Sequence, residues 1–178
     1  FGYFTEAEEH AVLGRSMERF LRFRRRDRAL WTSPIKGTVA EAKDRSSEAS
    51  QLRADPKEHA EHAMVVDLMR NDLSRVSEPG GVQVRELMEV LPFAGLAHLV
   101  STIEGRALPE LGLADILRGT FPPGSITGAP KRSAMQIIEA LEAHARGIYT
   151  GAVGFIDRSG GMSLAVAIRT AVIHAGQA

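Results

Sequence analysis

The sequence contains no cysteine, which excludes a disulfide framework and any thiolate-held metal. Its formal charge is balanced, 22 basic residues against 22 acidic, so nothing in the electrostatics argues for nucleic acid or a membrane surface as partner. No apolar run reaches the length of a membrane span, and no signal peptide is visible, which makes a cytoplasmic protein the default expectation. There are no internal repeats and no low-complexity tracts. The opening residues, FGYFTEAEEH, carry no initiator methionine, as expected of a fragment. What is present is ordinary for a globular chain: 44% apolar and 25% charged residues over 178 positions, enough for one domain with a real core.

The chain is organised around residues 56–75, PKEHAEHAMVVDLMRNDLSR. Asp55 followed by Pro56 reads as an N-cap and a first-turn proline. No glycine or proline follows until Pro79, which predicts a helix of about twenty residues. Between Ala63 and Met69 only Asp67 is polar, so the middle of this helix is expected to be buried nearly all round. Glu58 and Glu61 stand three apart, hence on one face, near the positive end of the helix. Paired carboxylates in a sheltered place suit a hard cation such as magnesium, or acid–base work. Spacing alone favours the blander alternative, a solvated Glu-rich first turn.

Short strands are expected on either side. Residues 19–25 alternate imperfectly and pair across 26–28 with a strand at 29–32. The basic run RFRRRDR at 22–28 reads as the solvated face of that hairpin rather than a nucleic-acid patch. Glu18, at the strand entrance, carries little meaning by itself. In WTSPIKGT, 31–38, Pro34 and Gly37 punctuate a short rigid turn that holds Lys36. A lysine there is usually an exposed charge; held in a dry pocket it could lose its proton and act as a nucleophile. Residues 39–54 are polar and small, either a linker or an exposed helix. Residues 82–90 predict a strand bulged near 87–88, residues 92–95 a turn, and residues 96–103 a second strand bearing His98. On sequence alone His98 is a structural or surface histidine.

Residues 113–118 predict a short helix, and FPPGSITGAPKRS at 121–133 a stiff loop carrying the hydroxyls of Ser125 and Thr127. Pro130 opens a further helix to about Glu142, with Met135, Ile138 and Leu141 on its inner face. A loop ending at a helix N-terminus suits an anion. A P-loop needs glycine directly before lysine, and here Ala129 and Pro130 intervene; a nucleotide phosphate is excluded and a carboxylate stays as candidate ligand. Residues 149–156 and 162–173 read as a hairpin turning at 158–161. Arg169 within that apolar second strand is costly unless it meets an anion, either an internal carboxylate or a bidentate carboxylate ligand.

Four blocks, in this order, resemble the chorismate-utilising enzymes: PIKGT at 34–38, EHAMVVDLMRNDLSRV at 61–76, GSITGAPKRSAMQIIEALE at 124–142, and YTGAVGF…AIRTAV at 149–172. That family includes the anthranilate, aminodeoxychorismate, isochorismate and salicylate synthases. The resemblance implies an α+β fold, part of an antiparallel β-sandwich with flanking helices, with chorismate and magnesium in its cleft. It implies a single catalytic domain over 1–178, truncated at both ends and incomplete alone. It also implies roles. Glu61 matches a magnesium ligand, and Glu58 an acidic residue beside the metal. His98 matches the histidine near the departing C4 hydroxyl, and Glu18 a proton donor or acceptor. Ser125, with Thr127 beside it, matches the hydroxyl loop that meets a substrate carboxylate. Tyr149 and Arg169 match groups gripping enolpyruvyl and carboxylate oxygens.

Lys36 discriminates within the family. Anthranilate synthases resemble this chain but carry alanine in that turn, whereas PIKGT is the form of component I of the aminodeoxychorismate synthases. There the lysine attacks C2 of chorismate, and ammonia from a glutamine amidotransferase partner then enters at C4. The alternatives are an anthranilate synthase or another chorismate enzyme, and a non-catalytic fragment or degenerate paralogue. Three features depart from the pattern: Met17 replaces a proline, residues 39–41 replace an RPR-like run, and the chain ends before the family's second metal-binding glutamate.

Overall fold

The computed structural model describes residues 1–7, 10–40, 52, 54–93 and 95–174. The alternating stretches become antiparallel strands. β1 (Gly2–Ala7), β2 (His10–Arg15), β3 (Arg19–Arg24), β4 (Ala29–Ser33) and β5 (Ile35–Ala40) precede the long helix α1 (Pro56–Ser74). β6 (Gln83–Phe93) and β7 (Leu96–Arg106) follow, then helices α2 (Leu113–Thr120) and α3 (Lys131–Leu141), then β8 (Ala152–Ile156), β9 (Met162–Val166) and β10 (Thr170–His174). Among the described residues, seven strands form one sheet in the order β5-β7-β4-β3-β9-β8, with β6 also paired to β7. β4 and β5 run consecutively along one side of β7, broken at Pro34, while β6 occupies the other side. A second sheet, β1-β2-β10, pairs Val12 with Val172.

The expected hairpin of β3 and β4 forms, and its basic run is solvated: Arg22 and Arg24 lie over the Trp31 ring. The bulge in β6 falls at Met88, which is left-handed (φ 54). Both strands of this pair run longer than expected, and Pro92 continues β6 instead of starting a turn. The polar stretch 39–54 lies mostly outside the described residues. No helix among the described residues is long and apolar enough to cross a membrane.

Helix α1 starts as its cap predicts: the Asp55 carboxylate accepts from the N–H groups of Lys57 and Glu58 at 2.9 and 3.2 Å. Its middle is not buried all round. Val65, Val66, Met69 and Leu73 join Phe20, Phe23, Leu30, Ile103 and Ile116 in the core, while Ala60, Ala63, Met64, Asp67 and Asn71 are exposed. Apolar content overstated burial here because alanine and methionine tolerate an open face. The same correction applies to α3, where Met135 and Leu141 are exposed rather than inward.

The final hairpin is shorter than expected. β8 and β9 turn at 157–161, where the Asp157 carboxylate accepts the Gly161 N–H at 3.0 Å. The chain then leaves the seven-stranded sheet, and β10 joins the other one. Arg169 sits at the crossing, exposed and left-handed (φ 50), not inside an apolar strand. The desolvation argument for its anionic partner therefore falls away, and its position must be judged from its neighbours.

Candidate functional site

The site grows from the turn at Pro34. Gly37 has φ +78, and an added Cβ would stand 3.1 Å from Glu58 Oε2 and 3.0 Å from a Leu52 methyl, so backbone sign and space both require glycine. Lys36 points to α1, its Nζ 3.2 Å from Glu61 Oε2. The two carboxylates of the first helical turns thus flank this turn, Glu61 on the ammonium and Glu58 against Gly37. The pair is open to water, each side chain 39% exposed, so of the two alternatives Lys36 takes the exposed charge rather than the dry pocket. His98 lies across the ladder from Thr38, fully buried, with Nδ1 2.8 Å from Thr38 Oγ1. Burial, then the Arg169 charge, hold the His98 pKa below its ordinary value, against the pull of the Gly37 backbone.

Glu18 closes the group from the start of β3. It is 6% exposed, and its backbone carbonyl accepts the Val166 N–H at 3.1 Å, which ties it to β9. Burial pushes its pKa up; Ser125, Lys36 and Arg169 pull it partly back. Glu18 Oε1 and Ser125 Oγ are buried without a hydrogen-bond partner among the described residues. Ser125 lies close enough to Glu18 to lower its pKa, so the two meet at one place. Glu18, Lys36, Glu58, Glu61, His98, Ser125 and Arg169, read separately along the sequence, therefore come together.

Thr127 and Tyr149 do not join them. Both line a separate cavity of about 830 Å³ along α3. The Thr127 hydroxyl donates to Pro123 O and Gly124 O, each at 3.2 Å, which spends its proton on closing the loop. The Tyr149 ring is 56% exposed.

Sequence reasoning missed the bolt that fixes the Ser125 loop. Lys131 Nζ gives all three protons away: to Asp72 Oδ2 at 2.5 Å, Pro122 O at 2.7 Å and Thr120 O at 3.1 Å. Its side chain is 12% exposed and that of Asp72 6%. Removing one partner of so buried a pair costs about 3–5 kcal/mol, which makes it a firm constraint. Burial still raises the Asp72 pKa against the Lys131 attraction. Lys131 stands inside one of the four family blocks, and that was the available signal.

The raised Glu18 pKa has a sign that can be checked. A carboxyl group whose pKa is higher in the fold than in the unfolded chain costs stability once it ionises. Stability is full below the ordinary value of 4.5 and falls as pH rises through the folded pKa. Glu18→Gln is therefore expected to raise Tm by a few degrees at pH 7, with the gain vanishing below about pH 4.5, in thermal melts across pH. A loss of Tm at pH 7 would show that the carboxylate stabilises the fold.

Could this place hold magnesium? Glu58 and Glu61 supply two carboxylates on one helix face, and magnesium commonly takes one or two carboxylates with water and substrate oxygens completing its shell. Glu61 already faces a cation, the Lys36 ammonium. Among the described residues no group of three metal-binding side chains forms. Two carboxylates would suit magnesium only with substrate oxygens and water completing its shell.

An antiparallel sheet with flanking helices, carrying a lysine, three carboxylates and a histidine close together, defines an α+β protein with a cluster of groups suited to nucleophilic and acid–base chemistry. The chain belongs to the chorismate binding enzyme family, which it matches over residues 1–178. It is 47% identical over 173 residues to aminodeoxychorismate synthase component 1 of Klebsiella aerogenes, covering 96% of this chain and 38% of that protein. It is 43% identical over 173 residues to anthranilate synthase component 1 of Arthrobacter globiformis, covering 96% of this chain and 32% of that one. The crystal structure of anthranilate synthase component I from Streptococcus pneumoniae TIGR4 superposes with a TM-score of 0.86 at 41% identity, over 97% of this chain and 38% of that chain. The chain thus spans roughly a third of the length of the relatives it matches.

Proposed function

We propose that the complete protein is an aminodeoxychorismate synthase component I, an aminotransferring enzyme of para-aminobenzoate and folate biosynthesis in the cytoplasm. The observation that carries this reading is Lys36 itself, reaching into the cluster of Glu18, Glu61 and His98 where the anthranilate synthases have alanine. In this reading the unprotonated Lys36 amine forms a bond to C2 of chorismate, the two conjugated ring double bonds shift, and the C4 hydroxyl leaves as water with a proton from an acid, while the nitrogen newly bound to C2 loses one. Ammonia then bonds to C4, both double bonds shift back, the C2–N bond to Lys36 breaks, and the proton lost by the ammonia nitrogen restores the Lys36 amine, giving 4-amino-4-deoxychorismate. Two substitutions replace one difficult displacement.

Glu18 suits the acid role because burial lets it keep a proton to a higher pH than an open carboxyl group. His98, whose pKa is lowered, suits a neutral contact to the departing oxygen. Ser125 and Arg169 are proposed to hold carboxylate. Thr127 is proposed to keep the Ser125 loop closed, whereas Tyr149, which lines a separate cavity, takes no part in this reading. Magnesium, held by Glu61 with Glu58 beside it, would offset charge on a substrate carboxylate. A glutamine amidotransferase partner would supply the ammonia.

The second reading is an anthranilate synthase, favoured by the 43% identity to the Arthrobacter globiformis protein. Product analysis with chorismate and ammonium salt separates them. Aminodeoxychorismate supports the first reading; anthranilate with pyruvate replaces it with the second. Arg169→Lys keeps charge but loses the planar fork, and it is expected to weaken chorismate binding by about 1–3 kcal/mol in titrations. Wild-type affinity with an earlier melt would make Arg169 a structural residue.

A further inference from the structure

His62 follows Glu61 on α1, is fully buried, and has no part in the reaction proposed above. Its Nε2 lies 2.6 Å from Ser101 Oγ on β7. Ser101 is also fully buried, and its other bonds converge on the same region. Its N–H donates to Pro34 O at 3.2 Å, and its hydroxyl accepts the Met88 N–H at 2.9 Å. Met88 is the left-handed residue of the β6 bulge, where the ladder skips between Glu86 and Glu89. Ser101 Oγ thus joins the Met88 N–H and His62 Nε2 at one buried point. Burial, and then the charges of His59 and Lys36, keep His62 on the neutral side of its ordinary pKa; the Lys36 main chain lies close enough to the ring to oppose them.

The start of β5 is therefore clasped twice. The Ser101 main-chain N–H holds the Pro34 carbonyl, and the His62 ring lies beside the Lys36 main chain. The same helix turn sends Glu61 to the Lys36 ammonium. A buried imidazole and hydroxyl are costly where an apolar pair would pack. What they supply is a fixed distance between α1 and the turn that carries Lys36.

We infer that His62 and Ser101 are positioning residues that set where the Lys36 amine stands relative to α1 and Glu61. The inference rests on the role proposed for Lys36, and its test separates the two. In the complete protein, Ser101→Ala removes one oxygen with little change of volume. Hydrogen exchange read by mass spectrometry should show residues 34–38 exchanging at least about fivefold faster, with protection of β3 and β9 unchanged. The kcat for amine transfer to C4 should fall by about 10²-fold with the chorismate KM within about twofold, since a misplacement of about 1 Å has that cost. His62→Gln, whose amide can still reach Ser101, should retain most of both; if Ser101→Ala does not fold, His62→Leu, which cannot bond to Ser101, is expected to give the same local loosening and the same fall in kcat. Unchanged exchange at 34–38, or a loss of protection spread evenly over β3 and β9, overturns the inference. Local loosening with normal turnover keeps the positioning and removes the catalytic role of Lys36.

Discussion

Lys36→Ala in the complete protein, given chorismate and ammonium salt, is expected to lower aminodeoxychorismate formation by about 10³-fold or more, the scale on which losing a bond-forming nucleophile acts. The fold should survive. The Lys36–Glu61 pair is half open to water, and exposed ion pairs contribute only about 0.2–1 kcal/mol. With the amine gone, direct attack of ammonia at C2 becomes the remaining route, so the residual product should shift towards anthranilate. Intact-protein mass spectrometry of the wild type with chorismate and no ammonia should show an adduct on Lys36. No adduct, together with a normal rate in the alanine variant, would make Lys36 an ordinary turn cation. The geometry sharpens this test. An ammonium resting on Glu61 is not a nucleophile, so the reactive state needs Lys36 to give up both that contact and a proton.

Glu61→Ala is expected to abolish magnesium-dependent activity. A direct ligand should cost more than the 10–100-fold in affinity typical of outer-shell groups, whereas Glu58→Ala should stay within about that range. Isothermal titration of the complete protein with magnesium, alongside activity against magnesium concentration, reads both. Unchanged magnesium dependence in the Glu61 variant would remove it from the metal site and leave it as the counter-ion of Lys36. Either result is informative, because one carboxylate cannot give the same oxygen fully to an ammonium and to a metal.

Local signals were legible where local physics decides the outcome. Asp55–Pro56 announced the start of α1, and the alternation around 19–32 announced β3 and β4. Composition misled where exposure depends on what packs opposite: Met64 in α1 and Leu141 in α3 are apolar yet open. The crossing at Arg169 was not legible, because 162–173 is apolar but for Ser163, Arg169 and Thr170, and nothing in it marks which sheet each half joins. Site residues were legible only as separate candidates. Glu18 looked unremarkable at a strand entrance, and its burial beside Ser125 is a product of tertiary structure. His62 gave no signal beyond its place next to Glu61 in a family block, and Ser101 gave none, since a buried histidine or serine reads the same as a surface one in sequence.

The crossing from β9 to β10 also divides the molecule in time. Val12 and Val172 meet only after nearly the whole described chain has been made, and pairings between such distant residues are the slow ones to form. The core cluster between α1 and the seven-stranded sheet holds no residue of the small sheet, so a local opening of the small sheet would leave that cluster's contacts in place. Arg15 donates its N–H to the Arg169 carbonyl at 3.1 Å, at the seam between the two. Fraying of β10 would carry Arg169 away from Glu18 and His98 and lift its electrostatic influence from both. The cluster would then lose its guanidinium by a local breath rather than by unfolding.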